Sequence, residues 1–178
     1  MSKSVKRLKK KDALQPPLET IGWREWLALP DLGVEFIKTK VDTGARTSAL
    51  HAFDIEPFKK NGQDWIRFTL HPIQRNDKIE QACSCKIKGS RFVTNSGGIE
   101  EKRFVIVTPI TIGHQTWPIE VTLTNRDEMG FRMLLGRTAL RKRFLVDPAK
   151  SYCQGHPGEP KITITHPEHQ SYGKDEEE

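Results

Sequence analysis

Val34-Glu35-Phe36-Ile37-Lys38-Thr39-Lys40-Val41 runs directly into Asp42-Thr43-Gly44-Ala45. Ile37, Thr39 and Val41 fall on one side of the run, and Phe36, Lys38 and Lys40 on the other. That alternation has the period of a strand. The four residues after it read as a turn led by a carboxylate. An acidic residue ahead of glycine marks many turns, so Asp-Thr-Gly by itself is a weak signal. It gains weight from Met133-Leu134-Leu135-Gly136-Arg137, whose glycine lies 94 residues after Asp42. A strand-borne Asp and a later apolar-apolar-Gly segment suggest one half of a site built on paired carboxylates. The chain supplies one such Asp, so the complete site requires a second copy.

Two carboxylates held about 3 Å apart cannot both ionise. One keeps its proton, and the pair then offers a general base for water and a general acid. Each Asp must sit at a strand end in a turn that aims its oxygens at the partner. The Thr43 hydroxyl can hydrogen-bond across the pair. Gly44 lets its backbone N–H come close to the carboxylate. The small Ala45 leaves the site open. The plain alternative is an ordinary turn that ends a strand.

A chain of 178 residues suggests one domain with tails. Only 35% of residues are hydrophobic and 29% are charged, which implies a modest core wrapped in short strands. No apolar window approaches the length of a membrane span. The first eleven residues are basic without an apolar stretch behind them, so they do not read as a secretory signal, and a cytoplasmic location is the default. The net charge of +6 is uneven: residues 1–12 carry +5 and residues 165–178 carry −4. The basic arm could dock on RNA, ribosomes or anionic lipid, but a solvated tail is the preferred reading. Nucleic acid is not expected, because too few aromatics stand near the arm to build a stacking platform. The basic body favours an acidic substrate.

Cys83, Cys85 and Cys153 are an odd set with no export signal, so free thiols are expected rather than a disulfide. Cys83 and Cys85 share one strand face. Their spacing is too short for a zinc knuckle.

Residues 1–16 read as a disordered basic arm, residues 17–165 as the folded domain, and residues 166–178 as a disordered acidic tail. Order is expected from about Thr20. Trp26–Leu29 ends at the turn cluster Pro30-Asp31-Leu32-Gly33. Asn61-Gly62 predicts a tight hairpin, followed by a strand with Ile66, Phe68 and Leu70 inward. Further strands are expected at Cys83–Lys88, Phe104–Val107, Ile110–Ile112, Ile119–Leu123 and Lys161–Thr165. Gly113-His114 reads as another tight turn. The best helix candidate is Arg137–Arg143, rich in Ala, Leu, Arg and Lys. Seven to eight strands and one helix make the chain mainly β, a barrel or a sandwich.

The two segments together resemble the retropepsin-like aspartic proteases. The resemblance implies a closed barrel with one short helix after Leu134-Leu135-Gly136-Arg137. It implies a homodimeric endopeptidase with Asp42 as the catalytic residue. Thr43, Gly44, Ala45, Leu135, Gly136 and Arg137 would form the active-site loops, and Gly97, Gly98 and Ile99 a flap tip. Order along the chain matches over about residues 20–147.

A closer resemblance is to a bacterial family labelled ATP-dependent zinc proteases. It rests on Gly22-Trp23-Arg24-Glu25-Trp26, Lys40–Ala52, Val121–Asp127 and Met129–Arg137. Members often neighbour ATP-grasp enzymes that ligate glutamate to protein termini, which implies a functional link to such a ligase. The residues themselves carry neither a His-Glu-x-x-His helix nor a phosphate-binding Gly-x-x-x-x-Gly-Lys loop. No cofactor and no metal are therefore expected, and His51, His71, His114 and His156 read as scattered surface or core-edge residues.

Arg46 departs from the viral enzymes, which usually carry an acid there. It could fold back on Asp42, pair across a dimer, form a structural salt bridge or grip an acidic substrate bidentately. Arg126 and Arg132 are further candidates for substrate binding, with an internally paired turn as the plainer reading. Two other functions stay open: a non-catalytic module that binds acidic peptides on the same barrel, and a zinc-dependent peptidase as the label states.

Overall fold

The computed structural model describes residues 17–156, except residue 74, residues 95–96 and residues 126–129. The expected arm, the late strand Lys161–Thr165, the acidic tail and Arg126 lie outside the described residues.

Among the described residues, twelve strands and one short α-helix follow in order, with a 3-10 turn at Pro30–Leu32 between the second and third strands: β1 (Glu19–Gly22), β2 (Arg24–Leu29), β3 (Val34–Asp42), β4 (Ser48–His51), β5 (Phe53–Lys60), β6 (Gln63–Leu70), β7 (Gln81–Lys86), β8 (Gly89–Thr94), β9 (Glu100–Ile112), β10 (Gln115–Thr124), β11 (Met133–Gly136), α1 (Arg137–Leu140) and β12 (Phe144–Asp147). The described chain is mainly β. The principal sheet has the order β10-β4-β11-β3-β2-β9-β8, and β9 also pairs with β10, so the order returns on itself. β5, β6 and β7 make a separate antiparallel sheet, and β1 lies parallel to β12.

The core follows the strand period. Ile37, Thr39 and Val41 of β3 point inward, as do Ile66, Phe68 and Leu70 of β6. Buried Thr39 donates its hydroxyl to the Met133 carbonyl at 3.1 Å, which satisfies its polar group and ties β3 to β11. The β5–β6 hairpin turns at Asn61 and Gly62, both with positive φ, as the Asn-Gly signal requires.

Two expectations are corrected. Phe104–Val107 and Ile110–Ile112 are one thirteen-residue strand, β9. Pro109 does not break it; it stands opposite Pro118 of β10, and the pairing continues on both sides of that rung. The helix does not reach Arg143. It stops at Leu140, because Arg141 turns extended and Lys142 adopts φ 64°, releasing the chain into β12.

All three cysteines are free thiols. Burial, with the neighbouring Cys85 thiol second, pushes Cys83 up to about 12, and burial pushes Cys85 up to about 11. A raised folded-state value means that the folded protein holds these protons more tightly than the unfolded chain. The stability they contribute is complete below the ordinary thiol value of 9.0 and is lost as pH rises toward about 12. Urea unfolding at pH 7 and pH 10 should therefore show an alkaline loss of stability that Cys83→Ala reduces.

Candidate active site

Asp42 is the last residue of β3, and Gly136 the last of β11; the two strands run parallel and place these residues side by side. The turn after β3 is shaped by the carboxylate itself. Asp42 Oδ1 accepts the Gly44 N–H at 2.9 Å and the Ala45 N–H at 3.1 Å. The carboxylate is half-buried, while Thr43 and Gly44 are exposed beside it.

The second segment grips this loop from below. The Gly136 N–H donates to Ser48 Oγ at 3.1 Å. A side chain at 136 would meet the Thr47 backbone at about 2.5 Å, so glycine is needed for the close approach. The Arg137 and Thr138 N–H groups donate to the carbonyls of Ala45 and Arg46. The Thr138 hydroxyl donates to the same Arg46 carbonyl at 2.8 Å. The Arg137 guanidinium donates to the Gly44 carbonyl at 2.9 Å. These bonds fix the Asp42 loop against α1, and buried Trp117 braces α1 through Nε1 on the Ala139 carbonyl at 3.1 Å.

Gly97, Gly98 and Ile99 sit in the turn that joins β8 to β9. Gly98 has φ 79°, and Ile99 is 60% exposed at the hairpin end. Between this hairpin and the Asp42 loop lies a cavity of about 650 Å³, floored by Ala45, Ala49 and Leu134 and flanked by Arg46, Arg91 and Arg103. A neighbouring cavity of about 590 Å³ shares Arg46, Thr47 and Arg91 with it and adds Trp117, Arg141 and Arg143.

The charge here is lopsided. Arg91 pairs with Glu120 at 2.6 Å, and Lys88 also reaches that carboxylate. The Lys88 ammonium, then the Arg91 guanidinium, holds the Glu120 carboxyl below its ordinary value. Arg103 pairs with Glu101 at 2.9 Å and is itself buried. Arg46, Arg141 and Arg143 have no carboxylate partner among the described residues. Arg143 instead lies 4.8 Å over the Trp117 ring.

Arg46 therefore does not fold back on Asp42 in this chain; it is exposed and lines both cavities. Arg132 behaves differently. Its buried side chain pairs with Asp77, and it lines neither cavity. Among the described residues no three His, Cys, Asp or Glu side chains gather at metal-binding distance. None of the described helices is long and apolar enough to cross a membrane.

Sequence reading missed Arg91, Arg103, Arg141 and Arg143. Arg141 and Arg143 registered only as helix formers, and no local pattern marks Arg91 or Arg103. It also quoted Glu25 without a role. Glu25 is fully buried and accepts the N–H groups of Gly22 at 2.7 Å, Cys153 at 2.8 Å and Gln154 at 3.3 Å.

Comparison with known proteins gives four matches. A family model described as RimB-like, retropepsin-like aspartic endopeptidase RimB, matches residues 20–157. A Shewanella pealeana protein named probable alpha-L-glutamate ligase is 50% identical over 142 residues, covering 80% of this chain and 31% of that protein. A Parasynechococcus marenigrum protein of the same name is 47% identical over 135 residues, covering 76% of this chain and 29% of that protein. The chain thus spans about a third of the length of these curated relatives. The crystal structure of Lpg0085, a Legionella pneumophila protein of unknown function, superposes with a TM-score of 0.64 at 29% identity, covering 76% of this chain and 98% of that one.

Proposed function

This chain belongs to the RimB-like family of retropepsin-like aspartic endopeptidases, and we propose that it is itself an aspartic peptidase, active as a homodimer with Asp42 of each subunit in one shared dyad. The observation that carries this reading is the shaped carboxylate: Asp42 Oδ1 holds two backbone N–H groups of its own loop, and α1 clamps that loop from the other side. Such preorganisation suits a group that must meet a second carboxylate and a water in fixed geometry. In the dimer, one Asp42 takes a proton from water while the other protonates the peptide group being cleaved. Gly97, Gly98 and Ile99 cover the substrate, and the strand order that returns on itself acts as a closed barrel behind the site.

The substrate is an acidic peptide. Arginines crowd the cavities beside Asp42, and Arg46 grips a substrate carboxylate. The relatives named glutamate ligases carry a segment like this chain within one longer polypeptide, which supports a functional link to glutamate ligation, whose product is acidic.

Subunit mixing tests the shared dyad. Wild-type protein re-equilibrated with a threefold excess of Asp42→Asn should lose most of its peptidase activity, because mixed dimers carry one carboxylate. Activity should also fall on dilution as dimers separate. Undiminished activity after mixing, with sedimentation showing a monomer throughout, rules out a dyad made by two subunits.

A further inference from the structure

The two cavities adjoin along a common wall of Arg46, Thr47 and Arg91, and each adds arginine of its own. The one under the β8–β9 hairpin adds Arg103, and the outer one adds Arg141 and Arg143. Four arginines line the outer cavity, with Glu120 its single carboxylate-bearing residue. An even spread of surface charge does not explain this arrangement. Arg46, Arg141 and Arg143 are all unpaired with carboxylates among the described residues, and they come from two separate segments. Charge-assisted bonds from guanidinium to carboxylate are strong and directional.

A peptide in a protease cleft is extended, and its alternate side chains project from one face about 7 Å apart. Adjacent side chains project from opposite faces. Two cavities sharing a wall therefore suit residues two apart better than neighbours.

We infer that the paired cavities read acidic side chains at alternate positions of an extended peptide: the cavity of Arg46, Arg91 and Arg103 takes the one nearer Asp42, and that of Arg46, Arg141 and Arg143 takes the one two residues farther away. This rests on the peptidase reading above and gives it a sequence preference. Arg141 and Arg143 are specificity-determining residues that touch neither the Asp42 carboxylate nor its loop bonds. Glu120 is an internal competitor that occupies Arg91 while no substrate is bound.

The test uses full-length Asp42→Asn protein, so that binding is measured without turnover. Three fluorescent octapeptides are compared by anisotropy: one with Glu at positions two apart, one with the same two Glu adjacent, and one with both replaced by Gln. The alternating peptide should bind about tenfold more tightly than the adjacent one of equal charge. Arg141→Ala with Arg143→Ala should abolish that difference while leaving thermal unfolding unchanged, both side chains being exposed. Glu120→Gln should tighten binding of the alternating peptide several-fold by freeing Arg91. Equal binding of the alternating and adjacent peptides, or an unchanged preference in the double variant, overturns the inference. Wild-type cleavage is scored separately. A neutral peptide cut as fast as the alternating one overturns the inference and leaves the aspartic-peptidase reading standing. If no peptide is cut while alternating binding persists, the inference stands and the peptidase reading falls.

Discussion

Asp42→Asn should lower kcat on a cleavable peptide by at least ~10³-fold while leaving the fold intact. An asparagine keeps an oxygen where Oδ1 accepts the Gly44 and Ala45 N–H groups, so the loop retains its shape. What it loses is the ability to ionise. A dyad needs one charged member to take a proton from water and one protonated member to give a proton away. An amide does neither. Stability should change by less than about 1 kcal/mol, because the site is half-buried and its loop bonds survive. Asp42→Ala should be equally inactive but less stable, since it also leaves the two N–H groups without their acceptor. Paired assays of turnover and urea unfolding separate these effects. Full turnover by the asparagine variant would end the aspartic mechanism outright.

Glu25→Ala should be the most destabilising single change outside the core, at about 3–5 kcal/mol. The carboxylate of Glu25 is fully buried and holds three backbone donors, from Gly22, Cys153 and Gln154. Truncation leaves all three facing a space that alanine does not fill. Each orphaned donor costs about 1–3 kcal/mol, and some recover by relaxation or by admitting water. Such a loss is a large share of the ~5–15 kcal/mol that holds a typical domain together. Gln should be intermediate, because its amide keeps one acceptor but turns a donor toward other donors. Hydrogen exchange should show the segment from Asp147 to His156 opening first, since Glu25 ties it to the turn between β1 and β2. A change below 1 kcal/mol in urea unfolding would show that the clamp is unimportant.

What could be read directly from the chain was whatever is contiguous and strictly alternating. β3 and its Asp42 turn were legible because a buried face alternates with a more exposed one from Phe36 to Asp42. The Asn61-Gly62 hairpin was legible because its chemistry is local. β8 was not, since Gly89–Thr94 alternates only between half-buried and exposed and offers no apolar face to recognise. The extent of β5 was less legible than its hairpin, because Pro57 adds a misleading break and its alternation falters at Glu56-Pro57. The helix was overextended because propensity counts the side chains of Arg141 and Lys142 but not the left-handed backbone that frees Phe144 to enter β12. The site divides along the same line. Asp42 and Gly136 each sit in a readable local pattern. Arg46, Arg91, Arg141 and Arg143 become neighbours only through strand register, and single-sequence periodicity carries no such information. The Arg132 pairing was hidden for a related reason: its partner Asp77 stands 55 residues away in the chain.

The facing prolines of β9 and β10 have a mechanical consequence. β9 pairs with β8 along its first half and with β10 along its second. Its alignment on β10 therefore sets how far the Gly97–Ile99 tip overhangs the floor, and whether Glu120 of β10 meets Arg91 of β8. A one-residue slip would part Pro109 from Pro118 and turn each side chain of one strand toward the other face relative to its partner. The proline rung thus works as a detent, holding the overhang at one fixed reach.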